Sequence, residues 1–140
     1  MQVATWTDEG RLTIERRPDP EPRPGETLLR VASTGICGSD LHFFRGEFRP
    51  ALGMVPGHEI AAVVEGGDGL PAGAGVAVNP LLGCSTCGDC MNGNPQLCDR
   101  RALTGISAPG GLQQLLAIRS ENVHALPAGL DPALGSLAEP

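Results

Sequence analysis

The sequence predicts a mainly β domain, a barrel or sandwich with generous loops. Its apolar residues come in short runs, each bounded by Gly, Pro, Asn or Asp, as strands between turns are. The 140 residues include 20 Gly and 13 Pro, a fraction that suits a turn-rich fold and approaches the range of disordered chains. A hydrophobic fraction of 41% argues for a packed core instead. No apolar stretch is long enough, with caps at its ends, to predict a helix.

The elements follow in chain order. "RRPDPEPRPGE" (residues 16–26) is a stiff, extended lead-in to a strand; it lies too near the N-terminus to separate two cores. "TLLRVAS" (27–33), "EIAAVVEG" (59–66), "GVAVNP" (75–80) and "LQQLLAIR" (112–119) read as strands. There is no internal repeat, and the length suits one domain, residues 1–140, with one modest core.

Charge and hydropathy exclude several classes. Sixteen acidic residues outnumber ten basic ones, all Arg, for a net charge of −6. A scattered acidic surface lacks the basic stripe that nucleic acid requires. "MQVATWTDEGRLTIERR" has no apolar core of a signal peptide. The longest apolar run, Ile60 to Val64, is far short of the ~20 residues of a membrane span. A cytoplasmic protein with neither membrane nor nucleic acid as partner is expected.

Four of the five cysteines, Cys84, Cys87, Cys90 and Cys98, fall in "CSTCGDCMNGNPQLC" with the spacing C-x2-C-x2-C-x7-C. Disulfides suit secreted chains, and no export signal is expected here. The bacterial ferredoxin run begins alike, but its last gap is three residues with Pro following; here the gap is seven and Asp99 follows. A tetrahedral zinc site fits best. Short x2 turns deliver neighbouring thiolates to one point, and Gly88, Gly93 and "NGNP" (92–95) supply the tight backbone. Four thiolates leave no open position, so such a site stabilises the lobe around 84–98 and does no chemistry.

Cys37 stands alone in "GICGSDLH" (35–42), and a lone Cys is most often a small buried hydrophobe. "VPGHEI" (55–60) adds His58 beside Glu59, and "LAEP" (137–140) adds Glu139. Cys, His and carboxylate are the ligand types of an open, catalytic zinc site. Spacing alone does not bring them together. Other readings stay open too: Ser39 as a helix N-cap, His42 as a solvated surface residue, and His124 as structural.

Taken in order, "GICGSDLH", "PGHE", "VAVNP", the cysteine run, "NVHALPAGL" and "EP" resemble the zinc-dependent medium-chain dehydrogenases over essentially all 140 residues. The likeness is nearest to the threonine and sorbitol (polyol) dehydrogenase branch. It implies a GroES-like, partly open β-barrel. It implies that Cys37 and His58 bind a catalytic zinc, with Glu59 at or just behind the metal and Glu139 a further ligand or water-mediated partner. Ser39 matches the hydroxyl that meets the substrate oxygen, and His42 the outer member of a proton relay. Cys84, Cys87, Cys90 and Cys98 match the structural zinc. Departures from the family pattern at Ala62, Gly73-Ala74-Gly75 and Leu112-Gln113-Gln114 touch packing and surface, not ligands.

The implied activity is NAD(P)-dependent interconversion of an alcohol or polyol and its carbonyl, with zinc as Lewis acid and hydride passing to or from the nicotinamide. Homo-oligomers fall within what the resemblance allows. The cofactor-binding Rossmann domain is expected to lie outside these residues: there is no G-x-G-x-x-G, and "GGDG" (66–69) and "GAG" (73–75) do not extend to one. The 140 residues alone are therefore expected to be inactive and not to bind NAD(P). A second reading, a free-standing non-catalytic zinc-binding β-domain, stays open at this point.

Overall fold

The computed structural model describes residues 1–7 and 10–140. The mainly β expectation holds. Strands β1 (Gln2–Trp6) and β2 (Leu12–Arg16) pair antiparallel. Strands β3 (Glu26–Thr34), β4 (Ile60–Gly67) and β5 (Gly75–Val78) make the centre of a five-stranded sheet. Its edges are β8 (Leu115–Arg119), beside β3, and β9 (Val123–Ala125), beside β5. The short pair β6 (Leu81–Leu82) and β7 (Ala102–Leu103) forms a third sheet at the foot of the cysteine lobe.

Side chains alternate across the pleat. Leu29 of β3, Val76 and Val78 of β5, Leu116 and Ile118 of β8, and Val123 of β9 turn to one side and make the core with Ile60, Ala62 and Val64. Strand β4 does not alternate cleanly, because it is covered on both faces. A 3-10 segment, Pro132–Ala138, lies over the second face, and a Cβ on its buried Gly135 would sit 3.2 Å from that of Ala61. This explains the unbroken apolar run "IAAVV".

Three features depart from the sequence reading. The hairpin β1–β2 was not expected; β1 is nearly all buried, and Ala4 and Trp6 donate their N–H groups to Leu112 O (2.8 Å) and Met54 O (3.0 Å). Among the described residues two short α-helices occur, α1 (Gly38–Phe44) and α2 (Gly88–Met91). Strand β8 starts at Leu115 rather than 112, because the preceding glycines fold onto another loop: Gly111 N–H donates to Gly57 O (2.8 Å) and Gly110 N–H to Val55 O (2.8 Å). No helix among the described residues is long and apolar enough to cross a membrane.

One register positions the site. Strands β3 and β4 pair with Thr34 opposite Ile60, and Gly35 N–H donates to Glu59 O at 2.8 Å. The residues just after β3 and just before β4 must therefore emerge side by side. Those residues are Cys37 and the pair His58–Glu59.

Candidate metal centres

Ligand atoms of Cys37, His58 and Glu59 all lie within 4.8 Å of one another. Cys37 is the N-cap of α1, with extended backbone (φ −78°, ψ 160°), and its N–H donates to the Asp40 carboxylate at 3.0 Å. That bond fixes the turn that carries the thiol. His58 is buried, yet its Nδ1 has no hydrogen-bond partner. A buried orphan of this kind points to a missing partner. One soft sulfur, one imidazole and one carboxylate fit a zinc site that keeps a position open.

Ser39 lies inside α1, not at its cap, so the N-cap alternative for it fails: Cys37 holds that place. Its Oγ is buried and unpartnered. His42, three residues on, shares its helix face. The His42 ring is exposed, its Nδ1 paired with the Glu47 carboxylate, and its centroid is 5.3 Å from that of Phe48.

The second group is Cys84, Cys87, Cys90 and Cys98, again within 4.8 Å of one another, all four as free thiols. The Cys84 and Cys90 sulfurs are 3.9 Å apart, close to the ~3.8 Å edge of a tetrahedron with metal–sulfur bonds of about 2.3 Å. Ser85 takes a left-handed φ of 57°, which bends the first x2 turn tightly. Backbone N–H groups of Cys87 and Cys90 donate to the sulfurs of Cys84 (3.3 Å) and Cys87 (3.5 Å).

The Thr86 hydroxyl, donating to Cys84 Sγ, leads the contacts that hold that thiol down to about 5, with the backbone N–H groups of Thr86 and Cys87 adding to it. Arg100 also reaches the Cys84 sulfur, at 3.2 Å. Loss of solvation pushes Cys90 up to about 11. Donors converging on sulfur suit thiolates held for a metal, and the donor set matches a closed zinc site.

Glu139 is not among the residues gathered at Cys37. It is exposed at the end of the 3-10 segment. With His124, Asn79, Pro80 and Leu103 it lines a separate cavity of about 560 Å³. His124 is likewise exposed, on β9.

Several residues at these sites escaped the sequence reading. Asp40 caps the turn at Cys37, and Thr86 and Arg100 serve Cys84. Thr104 carries the third buried, unpartnered side-chain atom among the described residues. Its N–H donates to Pro80 O (2.9 Å), and the next residue, Gly105, presses on Gly57 beside His58. Nothing in the spacing of the sequence marks these four; "SD" directly after a Cys is the one weak capping signal.

Comparison with known proteins gives a consistent result. The family model described as "alcohol dehydrogenase GroES-like domain" matches residues 23–128. The 2-dehydro-3-deoxy-L-galactonate 5-dehydrogenase of Pseudoalteromonas atlantica is 38% identical over 125 residues, covering 85% of this chain and 37% of that protein. The sorbitol dehydrogenase of Halalkalibacterium halodurans is 30% identical over 143 residues, covering 99% and 42%. The crystal structure of galactitol-1-phosphate dehydrogenase from Escherichia coli superposes with a TM-score of 0.88 at 28% identity, covering 98% of this chain and 41% of that one. The chain thus spans about two fifths of the length of these relatives.

Proposed function

The chain belongs to the alcohol dehydrogenase GroES-like domain family of the zinc-dependent medium-chain dehydrogenases, and from that premise we propose that residues 1–140 form the metal-binding catalytic unit of an NAD(P)-dependent dehydrogenase. The observation that carries this reading is the meeting of Cys37, His58 and Glu59 where two paired strands end together. The nicotinamide belongs to a separate Rossmann-type domain. The relatives are named for sorbitol, a galactonate derivative and galactitol 1-phosphate, which share a polyhydroxylated chain. We extend that class, an alcohol or polyol or its carbonyl, to this protein.

In this reading Cys37, His58 and Glu59 hold the catalytic zinc, Cys84, Cys87, Cys90 and Cys98 hold the structural one, and Glu139, which lines a separate cavity, stands outside both sets. Zinc at the open site supplies Lewis-acid polarisation of the substrate oxygen. The protein's own residues do the rest. Ser39 Oγ, buried and without a partner in the protein, takes the proton of the substrate hydroxyl and relays its own outward, with His42 on the same helix face as the outer member of the relay. His42, exposed, releases it to solvent, and the Glu47 carboxylate orients its ring. The four-thiolate lobe takes no part in the proton path, because it has no vacant position.

Cobalt(II) substitution tests the assignment. We expect two cobalt ions per chain and thiolate-to-cobalt absorption from both sites. Adding a polyol should shift the d–d bands of only one of them. Cys37→Ser should abolish that response. A spectrum indifferent to polyol in wild type would contradict an open catalytic site.

A further inference from the structure

Helix α1 separates two cavities. Asp40, Leu41 and Phe44 on one side line an apolar cavity of about 290 Å³. Phe43 on the other side lines a cavity of about 430 Å³, together with Thr7 and with Gly46, Phe48 and Arg49 of the loop after the helix. Residues three and four apart share a helix face, so Ser39, His42 and Phe43 form one stripe. It runs from the Cys37 end of the helix to the second cavity. Phe48 closes the connection: its ring centroid is 5.3 Å from His42 and 5.8 Å from Phe43. The cavity therefore borders the proposed proton relay. From Ser39 to Phe43 the stripe rises ~6 Å along the helix, at about 1.5 Å per residue. A six-carbon chain with bonds of about 1.5 Å, completed by an arginine side chain, reaches that far.

The lining is unusual for this protein. One Trp, three Phe and no Tyr are all its aromatic residues. Phe43, Phe44 and Phe48 belong to α1 and the loop after it, and the Trp6 ring lies tilted against Phe43 with centroids 6.2 Å apart, while the sheet core has no aromatic side chain among the described residues. Phe48 is 54% exposed and faces a cavity, not the core. Beside it Arg49 is exposed and has no hydrogen bond or ion pair among the described residues, whereas Arg17, Arg30 and Arg119 all pair with glutamates. An aromatic wall packs against the C–H face of a sugar chain, and a free guanidinium is the side chain best shaped for a carboxylate or phosphate.

We propose that this cavity is the distal end of the substrate site, where Arg49 binds the terminal anionic group, carboxylate or phosphate, of a polyhydroxylated chain whose reacting carbon lies at Cys37, His58 and Glu59. The proposal rests on the dehydrogenase reading above and narrows its substrate class from neutral polyols to anionic ones. Phe48 supports the middle of the chain, and His42 stands between the two ends.

The test is NMR titration of the zinc-loaded protein with three probes of one carbon skeleton: L-galactonate, galactitol 1-phosphate and galactitol. At least one anion should bind about tenfold or more tightly than galactitol, and the tighter anion identifies the group that Arg49 reads. Arg49→Gln should remove that advantage and leave galactitol binding unchanged. Arg45→Gln, which alters a neighbouring arginine outside the cavity lining, should change nothing. Equal binding of all three probes, equal weakening of all three by Arg49→Gln, or binding of none by a chain carrying both zinc ions would each overturn the proposal. A chain that binds zinc at Cys37 and galactitol but ignores charge keeps the dehydrogenase reading and loses this one. A chain that takes up no metal at Cys37 loses both.

Discussion

Gly35 faces the side chain of Glu59 so closely that a Cβ on Gly35 would overlap the carboxylate oxygen Oε2 and sit 3.0 Å from the Glu59 Cβ. The two residues are also tied by the Gly35 N–H to Glu59 O hydrogen bond. The missing side chain at 35 is what lets the Glu59 carboxylate lie against Cys37 and His58. Gly35→Ala should push that carboxylate aside while the backbone pairing of β3 and β4 survives. Metal affinity at the Cys37 site should fall by roughly 10–100-fold, the usual effect of disturbing a ligand's support. Competition with a chelator reads this, and zinc in the cysteine lobe should be unaffected.

Gly105 and Gly57 meet in a different way. A Cβ on Gly105 would lie 2.5 Å from Gly57 O, and both residues have positive φ, 82° and 93°. Backbone cannot swing away as a carboxylate can. Gly105→Ala should therefore destabilise the fold by about 2–4 kcal/mol. Chemical denaturation measures this, and the variant should lose more stability than Gly35→Ala.

The two metal groups should separate in thermal melts. Cys87 caps α2 and its sulfur accepts the Cys90 N–H, so Cys87→Ser should open the proposed closed site and remove the folding free energy that a metal there supplies to its lobe. A drop of roughly 10 °C or more is expected, as a loss of about 3 kcal/mol gives in a domain of this size. Cys37→Ser should leave the melt within a few degrees of wild type. Equal drops would contradict the division into structural and catalytic sites.

In the metal-free protein the Cys84 thiol, held down to about 5, should be the first alkylated. Its thiolate forms as pH rises through about 5, well below the ordinary cysteine range. Iodoacetamide at pH 6 followed by peptide mass mapping should label Cys84 ahead of Cys90, whose thiol is pushed up to about 11. Any stabilisation from the lowered Cys84 value is present above the unfolded-state range and is lost as pH falls through about 5. Thr86→Val removes the leading cause and should move the labelling midpoint upward.

The central strands were legible because runs such as "TLLRVAS" and "GVAVNP" are buried on the sheet and end in breakers, so composition and place agree. The cysteine lobe was legible because thiolate spacing leaves few alternatives. Strand β2 was not: every residue is exposed, so no core pattern marks it, and it exists by pairing with β1. Helix α1 has only 7 residues, too few to nucleate on propensity, and depends on the cap at Cys37 and Asp40. That Cys37 meets His58 depends on the register of Thr34 with Ile60, a pairing between segments far apart in sequence. The position of Glu139 depends on how the Pro132–Ala138 segment packs over β4, which no local pattern encodes.

The central claim is that one chain carries two distinct zinc sites, one closed by four thiolates and one held by Cys37, His58 and Glu59. Elemental analysis of the purified wild type beside Cys37→Ser and His58→Ala tests it most directly. The expected result is two zinc ions per wild-type chain and one in each variant, with the remaining ion released only when the cysteine lobe unfolds. Iron with labile sulfide, or a single zinc ion whose binding is indifferent to Cys37 and His58, would contradict it.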